Sequence, residues 1–242
     1  MVKPLVKPMR VVVTRPLLDG EHTAAAVRAI GHDVLLAPLM SVEPLPAHLA
    51  GNWSALIITS ANAAAAIAQN AALASLTKLP LFAVGRRSAE AARRTGFAHV
   101  ISAEGNVHDL ERLIAARTRA TAPPLLYLAG EDRAADLVGR LSARGIAVEL
   151  HVVYRVLTAP FPAHLIEALK AGGVDAVMHF SRRSADNFVA GARSAGLLGP
   201  ALAVQHYCLS PQVAEPLAGA LRIAVADRPE EAALIALLRP SA

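Results

Sequence analysis

Two stretches of this chain follow one pattern. Gly31 to Val42 reads Gly-His-Asp-Val-Leu-Leu-Ala-Pro-Leu-Met-Ser-Val, and Gly145 to Val156 reads Gly-Ile-Ala-Val-Glu-Leu-His-Val-Val-Tyr-Arg-Val. Each follows an Ala/Arg-rich segment of helical composition. Each opens on Gly, which closes a helix because it takes the left-handed cap without a Cβ clash. Each then runs through an apolar strand into extended chain, and Tyr154 takes the place that Met40 has in the first copy. An internal repeat constrains a fold more than a single motif does, because each copy is one supersecondary unit with a face to bury. Two further pairs agree. Ala55-Leu-Ile-Ile-Thr-Ser-Ala-Asn-Ala-Ala matches Ala176-Val-Met-His-Phe-Ser-Arg-Arg-Ser-Ala, and Val84-Gly-Arg-Arg-Ser-Ala-Glu matches Leu209-Ser-Pro-Gln-Val-Ala-Glu.

Short β-rich runs alternate with helical segments along the chain. Strands are expected at 10–14, 34–37, 55–58, 81–84, 99–101, 125–128, 148–150, 174–179, 201–207 and 221–225. Asp19 is expected to cap a first helix through about Ile30, and Ser60 a helix of mostly Ala and Ile. Helices are also expected over 87–95, 132–144 and 161–171, from Ser181 to about Ala195, and from Pro229 to Leu238. Strand–helix alternation argues for parallel sheets covered by helices on both faces. Three prolines between Pro38 and Pro46 break any helical period and mark an extended linker. Five strands fall to each domain only if the middle domain is inserted into the other. The expectation is an α/β fold of two similar, doubly wound parallel-sheet domains joined by a two-stranded linker. The first is residues 1–38 plus 157–242, the second 44–151, with linker strands 39–43 and 152–156. The competing reading is a single ten-strand sheet.

Composition removes several classes of function. Over 242 residues the formal charge is only +5, and no Lys/Arg stripe with interleaved aromatics forms a nucleic-acid track. Cys208 is the single cysteine, so neither an intramolecular disulfide nor a CxxC metal site is available. The most apolar region, Ala55 to Leu76, is interrupted by Asn62, Gln69 and Asn70 and does not read as a membrane span. Residues 1–10 lack the apolar core of a signal peptide, so a cytoplasmic protein is expected. No GxGxxG, P-loop, HExxH, EF-hand or GxSxG motif is present, and the histidines have no metal-ligand spacing. Neither a cofactor nor a metal is expected.

What recurs is a strand end, then Ser, Thr or Gly, then a helix. The turns are Thr14-Arg15, Thr59-Ser60, Gly85-Arg86-Arg87-Ser88, Gly130-Glu131-Asp132-Arg133, Ser181-Arg182-Arg183 and Ser210-Pro211-Gln212. In parallel α/β sheets ligands sit beyond the carboxyl ends of strands, where free N–H groups favour anions. Helix capping alone accounts for Ser60, Ser181 and Ser210. It does not account for arginine at four of these turns, because the helix dipole disfavours a cation there. Those arginines imply a negative partner.

These residues together resemble the uroporphyrinogen-III synthase family. The matches are Thr14-Arg15-Pro16, Leu56-Ile-Ile-Thr-Ser60, Ala83-Val-Gly85, Ala129-Gly-Glu131 with Arg133, Gly145 through Val153-Tyr154, Phe180-Ser181 and Ser210-Pro211-Gln212-Val213-Ala214. They cover nearly the whole chain, and their order and spacing carry the resemblance. It implies two α/β domains joined by a two-stranded ladder. It also implies an enzyme of haem biosynthesis that closes hydroxymethylbilane, a linear tetrapyrrole with eight carboxylates, into uroporphyrinogen III. The reaction expels the terminal hydroxyl and inverts ring D, without metal or cofactor. Uncatalysed closure omits the inversion and gives the type I isomer.

The resemblance implies substrate contacts at Arg15, Thr59, Ser60, Gly85, Arg86, Ser88, Gly130, Arg133, Ser181, Arg182, Ser210 and Gln212. Tyr154 is the matching phenol. It either donates a proton to the leaving hydroxyl or packs as a linker aromatic. The chain departs from the family at Phe180-Ser181-Arg182, where Thr-Ser-Pro is common. It departs again at Ser210-Pro211-Gln212-Val213, where Gly and Thr usually flank the Pro, so no hydroxyl is supplied at Val213. A monomer is expected, with at most transient contact with the enzyme that supplies its substrate. A reading from another class is a non-catalytic tetrapyrrole- or anion-binding regulator on the same scaffold. A cyclisation assay separates the two.

Overall fold

The computed structural model describes residues 8–119, 122–133 and 135–239. They form two sheets, not one, and divide into two compact units. Unit 1 is the chain up to Ser41 together with Leu157 onward, and unit 2 is Val42–Val156.

In unit 1 the strands are β1 (Arg10–Val13), β2 (Asp33–Leu36), β9 (Ala176–His179), β10 (Gln205–Cys208) and β11 (Arg222–Val225). Their order is β11-β10-β9-β1-β2 and every pairing is parallel. Parallel strands are buried on both faces, which is why Val11, Val12 and Val13 all lie at zero exposure. The two faces fill separate cores. Val12, Val177 and Cys208 face α7 (Ala163–Lys170), α8 (Arg182–Ser194), α9 (Leu198–Ala203) and α10 (Pro211–Ala214). Val11, Val13, Ala176 and Met178 face α1 (Leu17–Ala29) and α11 (Glu231–Ala236).

In unit 2 the order is β3-β8-β7-β4-β5-β6. The strands are β3 (Met40–Pro44), β4 (Ala55–Ile58), β5 (Leu81–Ala83), β6 (Val100–Ser102), β7 (Leu125–Gly130) and β8 (Val148–Thr158). Leu56, Ile58, Leu126 and Leu128 pack under α2 (Ala61–Ala66) and α4 (Arg86–Arg94). Their neighbours Ala55, Ile57, Leu125 and Tyr127 pack under α5 (Val107–Arg117) and α6 (Leu137–Ser142). This is the period-two alternation of a sheet covered on both sides. A short α3 (Leu73–Leu76) lies between α2 and β5. The unit boundaries fall inside β3 and β8, which run antiparallel: Leu45 N–H donates to the Val153 carbonyl at 2.8 Å and Ala159 N–H to the Leu39 carbonyl at 3.0 Å. Within unit 2 Arg155 holds Glu43 across this ladder with two bonds, at 2.9 and 3.1 Å.

The α/β class with parallel sheets is as expected, and Gly31 and Gly145 both have positive φ, 93° and 73°. Several element boundaries differ. Asp19 does not cap α1: the helix starts directly after Pro16, and Asp19 in its first turn pairs with Arg15. The Ala/Ile helix after Ser60 breaks at Ile67, and the chain turns through Asn70, whose side chain accepts from the Ala72 N–H. The end of α9 occupies 201–203, where a strand was expected, because a short apolar run does not distinguish a buried helix turn from a strand. The helix expected from Asp132 begins only at Leu137. Asp136 takes the cap there by accepting the Gly139 N–H at 2.8 Å, which leaves Arg133 in a loop.

Candidate active site

The site in unit 2 is built where β4 and β7 end and β8 runs on past them. β4 runs out at Ile58, and the chain turns through Thr59 and Ser60 into α2, with Ser60 Oγ accepting the Asn62 N–H at 3.2 Å. β7 ends in Gly130. Next to it β8 carries a bulge: Ala129 pairs with Val152 but Gly130 pairs with Tyr154, so Val153 is the extra residue. A bulge re-aims the side chain that follows it. As a result consecutive residues Val153 and Tyr154 are both buried, and the Tyr154 ring turns over the end of β7.

Gly130 is required for that placement. A Cβ added to Gly130 would lie 2.7 Å from Tyr154 Cζ, 2.8 Å from Cε2 and 2.9 Å from the hydroxyl oxygen. The Tyr154 carbonyl accepts the Glu131 N–H at 3.0 Å, which ties the end of β7 to β8. We therefore predict that Gly130→Ala displaces the phenol. Overpacking of this kind costs about 1–3 kcal/mol, and turnover should fall at least as far as it does in a Tyr154 variant. A Gly130→Ala protein with the wild-type melting temperature and turnover would show that the ring does not rest on this glycine.

Thr59, Ser60, Gly130, Arg133 and Tyr154 line one cavity of about 250 Å³, which Val107, Tyr127 and Leu137 close on its apolar side. Arg133 Nη1 donates to the Gly130 and Glu131 carbonyls, both at 3.1 Å, so the guanidinium is held at the rim by neutral acceptors. Thr59 Oγ1 and the Tyr127 hydroxyl are 2.9 Å apart. Burial raises the Tyr127 pKa; the bond to Thr59 and nearby Arg133 oppose that rise, and the Tyr154 phenol adds to it. Among the described residues no group hydrogen-bonds the Tyr154 hydroxyl. The cavity thus gathers the Arg133 cation, the Asp132 carboxylate and several hydroxyls on a mostly apolar wall, of which Arg133 and the hydroxyls suit a carboxylated ring.

The remaining expected residues are elsewhere. In unit 2, Gly85 precedes α4 in extended conformation, Ser88 is buried in its first turn, and Arg86 lies 3.6 Å from Glu104. In unit 1, Arg15 is closely held: it pairs with Glu231 at 3.2 Å and Asp19 at 3.5 Å and lies over the Phe180 ring. Ser181 caps α8 with Ser184 as its box partner, and Arg182 reaches Glu215 at 2.6 Å. Ser210 precedes α10 without a side-chain cap bond, and Gln212 is exposed. The negative partner implied by arginines at helix starts is therefore, for Arg15, Arg86 and Arg182, a carboxylate of the protein itself.

A family model described as uroporphyrinogen-III synthase HemD matches residues 21–236. The chain belongs to the uroporphyrinogen-III synthase family. Its activity is that of a cyclising lyase of haem biosynthesis, and its family substrate is hydroxymethylbilane. Among solved structures it resembles uroporphyrinogen-III synthetase from Helicobacter pylori 26695, with a TM-score of 0.65 and 18% identity, covering 95% of this chain and 97% of that one. It is also similar to a mutant uroporphyrinogen III synthase from the extremely thermophilic bacterium Thermus thermophilus, with a TM-score of 0.48 and 20% identity over 95% of this chain and 97% of that one. No curated protein sequence matches. Among the described residues no helix is long and apolar enough to cross a membrane.

Two polar residues that line this synthase's cavity were not among the expected substrate contacts: Asp132, within the Gly130-Glu131-Asp132-Arg133 turn, and Tyr127. The signal for Tyr127 was slight, a single phenol in the aliphatic run Leu125-Leu-Tyr-Leu128 just before the Ala129-Gly130-Glu131 turn.

Proposed function

We propose that this cavity holds the reacting end of hydroxymethylbilane during closure to uroporphyrinogen III. The observation that carries the reading is that five residues singled out for substrate or catalysis, Thr59, Ser60, Gly130, Arg133 and Tyr154, line one cavity. Pockets for drug-sized ligands run to roughly 300–1,000 Å³, so a cavity of about 250 Å³ suits one substituted pyrrole, not four. Arg133 takes a carboxylate of that ring, and the Thr59 and Ser60 hydroxyls donate to the same side chains. The Tyr154 phenol gives its proton to the departing hydroxyl, which leaves as water. The pyrrole nitrogen stabilises the cation that remains. The protein then holds the ring so that the new carbon–carbon bond forms at the substituted carbon, which is catalysis by orientation.

Arg15, Gly85, Arg86, Ser88, Ser181, Arg182, Ser210 and Gln212 are proposed to receive the other carboxylates. Arg15, Arg86 and Arg182 must each exchange an internal carboxylate for one of the substrate's. Arg133 has no such exchange to make and should contribute most. We also propose a cytoplasmic monomer with only transient contact with the enzyme that supplies the bilane.

The test is salt and Arg133. Interactions between exposed charges decay over about 8 Å at physiological ionic strength, so KM should rise as salt is added. Charged hydrogen bonds are worth about 1.5–3 kcal/mol, so Arg133→Ala should raise KM roughly tenfold or more and reduce its salt dependence. Arg86→Ala and Arg182→Ala should have smaller effects. An Arg133→Ala enzyme with wild-type KM at every salt concentration would remove the cavity from the substrate site.

A further inference from the structure

We infer that Tyr127 is a positioning residue for the synthase reaction, acting through Thr59; the inference rests on the reading of the cavity given above. Tyr127 is 3% exposed and its ring packs among Ile57, Leu110 and Ile114 on one face of the sheet. Its oxygen reaches the end of β4, 2.9 Å from Thr59 Oγ1. Burial in this apolar wall keeps the phenol neutral and its one proton committed locally.

The direction of the bond follows from donor strength. A phenol is the stronger donor and a threonine hydroxyl the better acceptor, so Tyr127 donates and Thr59 accepts. That leaves the Thr59 proton free to point into the cavity. A hydroxyl that already accepts a hydrogen bond donates more strongly, because the bonds polarise one another. The chain Tyr127 O–H to Thr59 O–H therefore presents one oriented donor beside Arg133 and Tyr154, where a substrate carboxylate would lie. Without the Tyr127 hydroxyl, the Thr59 O–H turns about its Cβ–Oγ1 bond and divides its donation among orientations. Tyr127 touches no substrate in this arrangement; it fixes the direction of a donor that does.

A packing role and a positioning role for Tyr127 give different results in a double-mutant cycle. Tyr127→Phe keeps the ring and removes only the oxygen, and Thr59→Val keeps the shape of Thr59 and removes its hydroxyl. A neutral hydrogen bond is worth about 1 kcal/mol, roughly fivefold in an equilibrium constant. Tyr127→Phe should therefore raise KM for hydroxymethylbilane several-fold with little change in kcat, and increase the share of type I product. Thr59→Val should do the same or slightly more. The double variant should be no worse than Thr59→Val alone, because the phenol acts only through that hydroxyl.

Circular dichroism and thermal midpoints establish that each variant is folded. Thr59→Ser, which keeps the hydroxyl, should still respond to Tyr127→Phe. Additive effects of the two substitutions, or a Tyr127→Phe enzyme with wild-type KM and product ratio while Thr59→Val is impaired, would overturn the inference and leave the cavity reading intact. If Thr59→Val, Arg133→Ala and Tyr154→Phe are all wild-type as well, the cavity reading itself fails and the inference fails with it.

Discussion

Tyr154→Phe is expected to lower turnover by roughly a hundredfold, the usual lower size of a general acid's contribution, while KM stays close to wild-type. The basis is the geometry at the β8 bulge. The ring is 8% exposed and rests on Gly130, so Phe packs in the same place. The hydroxyl is what changes: it lines the cavity, and none of the described residues takes it up in a hydrogen bond. A phenol held this way keeps its proton available for the substrate's leaving hydroxyl. The alternative is that Tyr154 only fills space at the strand end. Phe would then be nearly silent, and Tyr154→Ala would instead destabilise unit 2 by opening a void over Gly130. The measurement is single-turnover rate and the ratio of type III to type I product for the Phe variant, on protein shown to be folded. Unaltered rate and ratio would end the general-acid role and leave orientation as the whole mechanism.

Acidification is expected to destabilise the protein through a buried histidine pair in unit 1. His179 and His206 lie at zero exposure with their rings stacked, His179 Nε2 3.1 Å from His206 Nδ1. His206 Nε2 lies 3.1 Å from the Ala201 carbonyl, which only accepts, so that nitrogen carries the proton. His206 Nδ1 is then an acceptor for His179 Nε2–H, and His179 Nδ1 is left buried with no hydrogen-bond partner among the described residues. The neutral tautomers of both rings follow from that one carbonyl. Phe188 packs edge-on against both imidazoles. Burial, reinforced for His179 by the neighbouring ring, lowers the His179 pKa well below its ordinary value, and burial brings His206 down to about 4.

In the unfolded chain both histidines take protons near pH 6.5, whereas the folded pair takes them only at much lower pH. Unfolding therefore binds protons below pH 6.5, and folding stability falls as pH drops from 6.5 toward 4. Holding His206 at about 4 instead of 6.5 corresponds to roughly 3 kcal/mol lost over that window, a large share of a typical folding free energy. Urea melts by circular dichroism at several pH values measure the loss, and Trp53 fluorescence reports on unit 2 separately. The His179→Leu, His206→Leu double variant keeps an apolar core against Phe188 and removes both titrating groups, so its stability should depend much less on pH. Equal slopes for wild type and double variant between pH 6.5 and 4 would exclude the pair as the source. The neighbouring Cys208 thiol, raised to about 12 by burial, stays protonated throughout.

Patterns in the sequence were enough for the class of the fold. The runs Arg10-Val-Val-Val, Ala55-Leu-Ile-Ile and Ala176-Val-Met-His are apolar on both alternating faces, as parallel strands under two helix layers require, and their alternation with helical segments selects that reading. Gly31 and Gly145 announce their helix ends because no other residue takes positive φ so cheaply. Family membership was legible too, from the order of several weak turn motifs, no one of which decides it. Such motifs depend on local backbone chemistry, which neighbouring residues carry with them along the chain.

What tertiary structure decided are the facts that depend on the partner strand or on a distant side chain. The Tyr154 ring turns over Gly130 only because Val153 is extruded where β8 meets β7, and strict alternation along β8 does not foresee that shift in register. Arg133 lies in a loop, not at a helix start, because Asp136 takes the cap and the helix begins only at Leu137. Arg15, Arg86 and Arg182 read as free cations in sequence because Glu231, Glu104 and Glu215 reach them from other elements. Tyr127 reads as one more core residue of β7 until β4 brings Thr59 alongside it. Backbone preference is local and survives in the sequence; which side chains share a proton or a charge is settled when the strands pair.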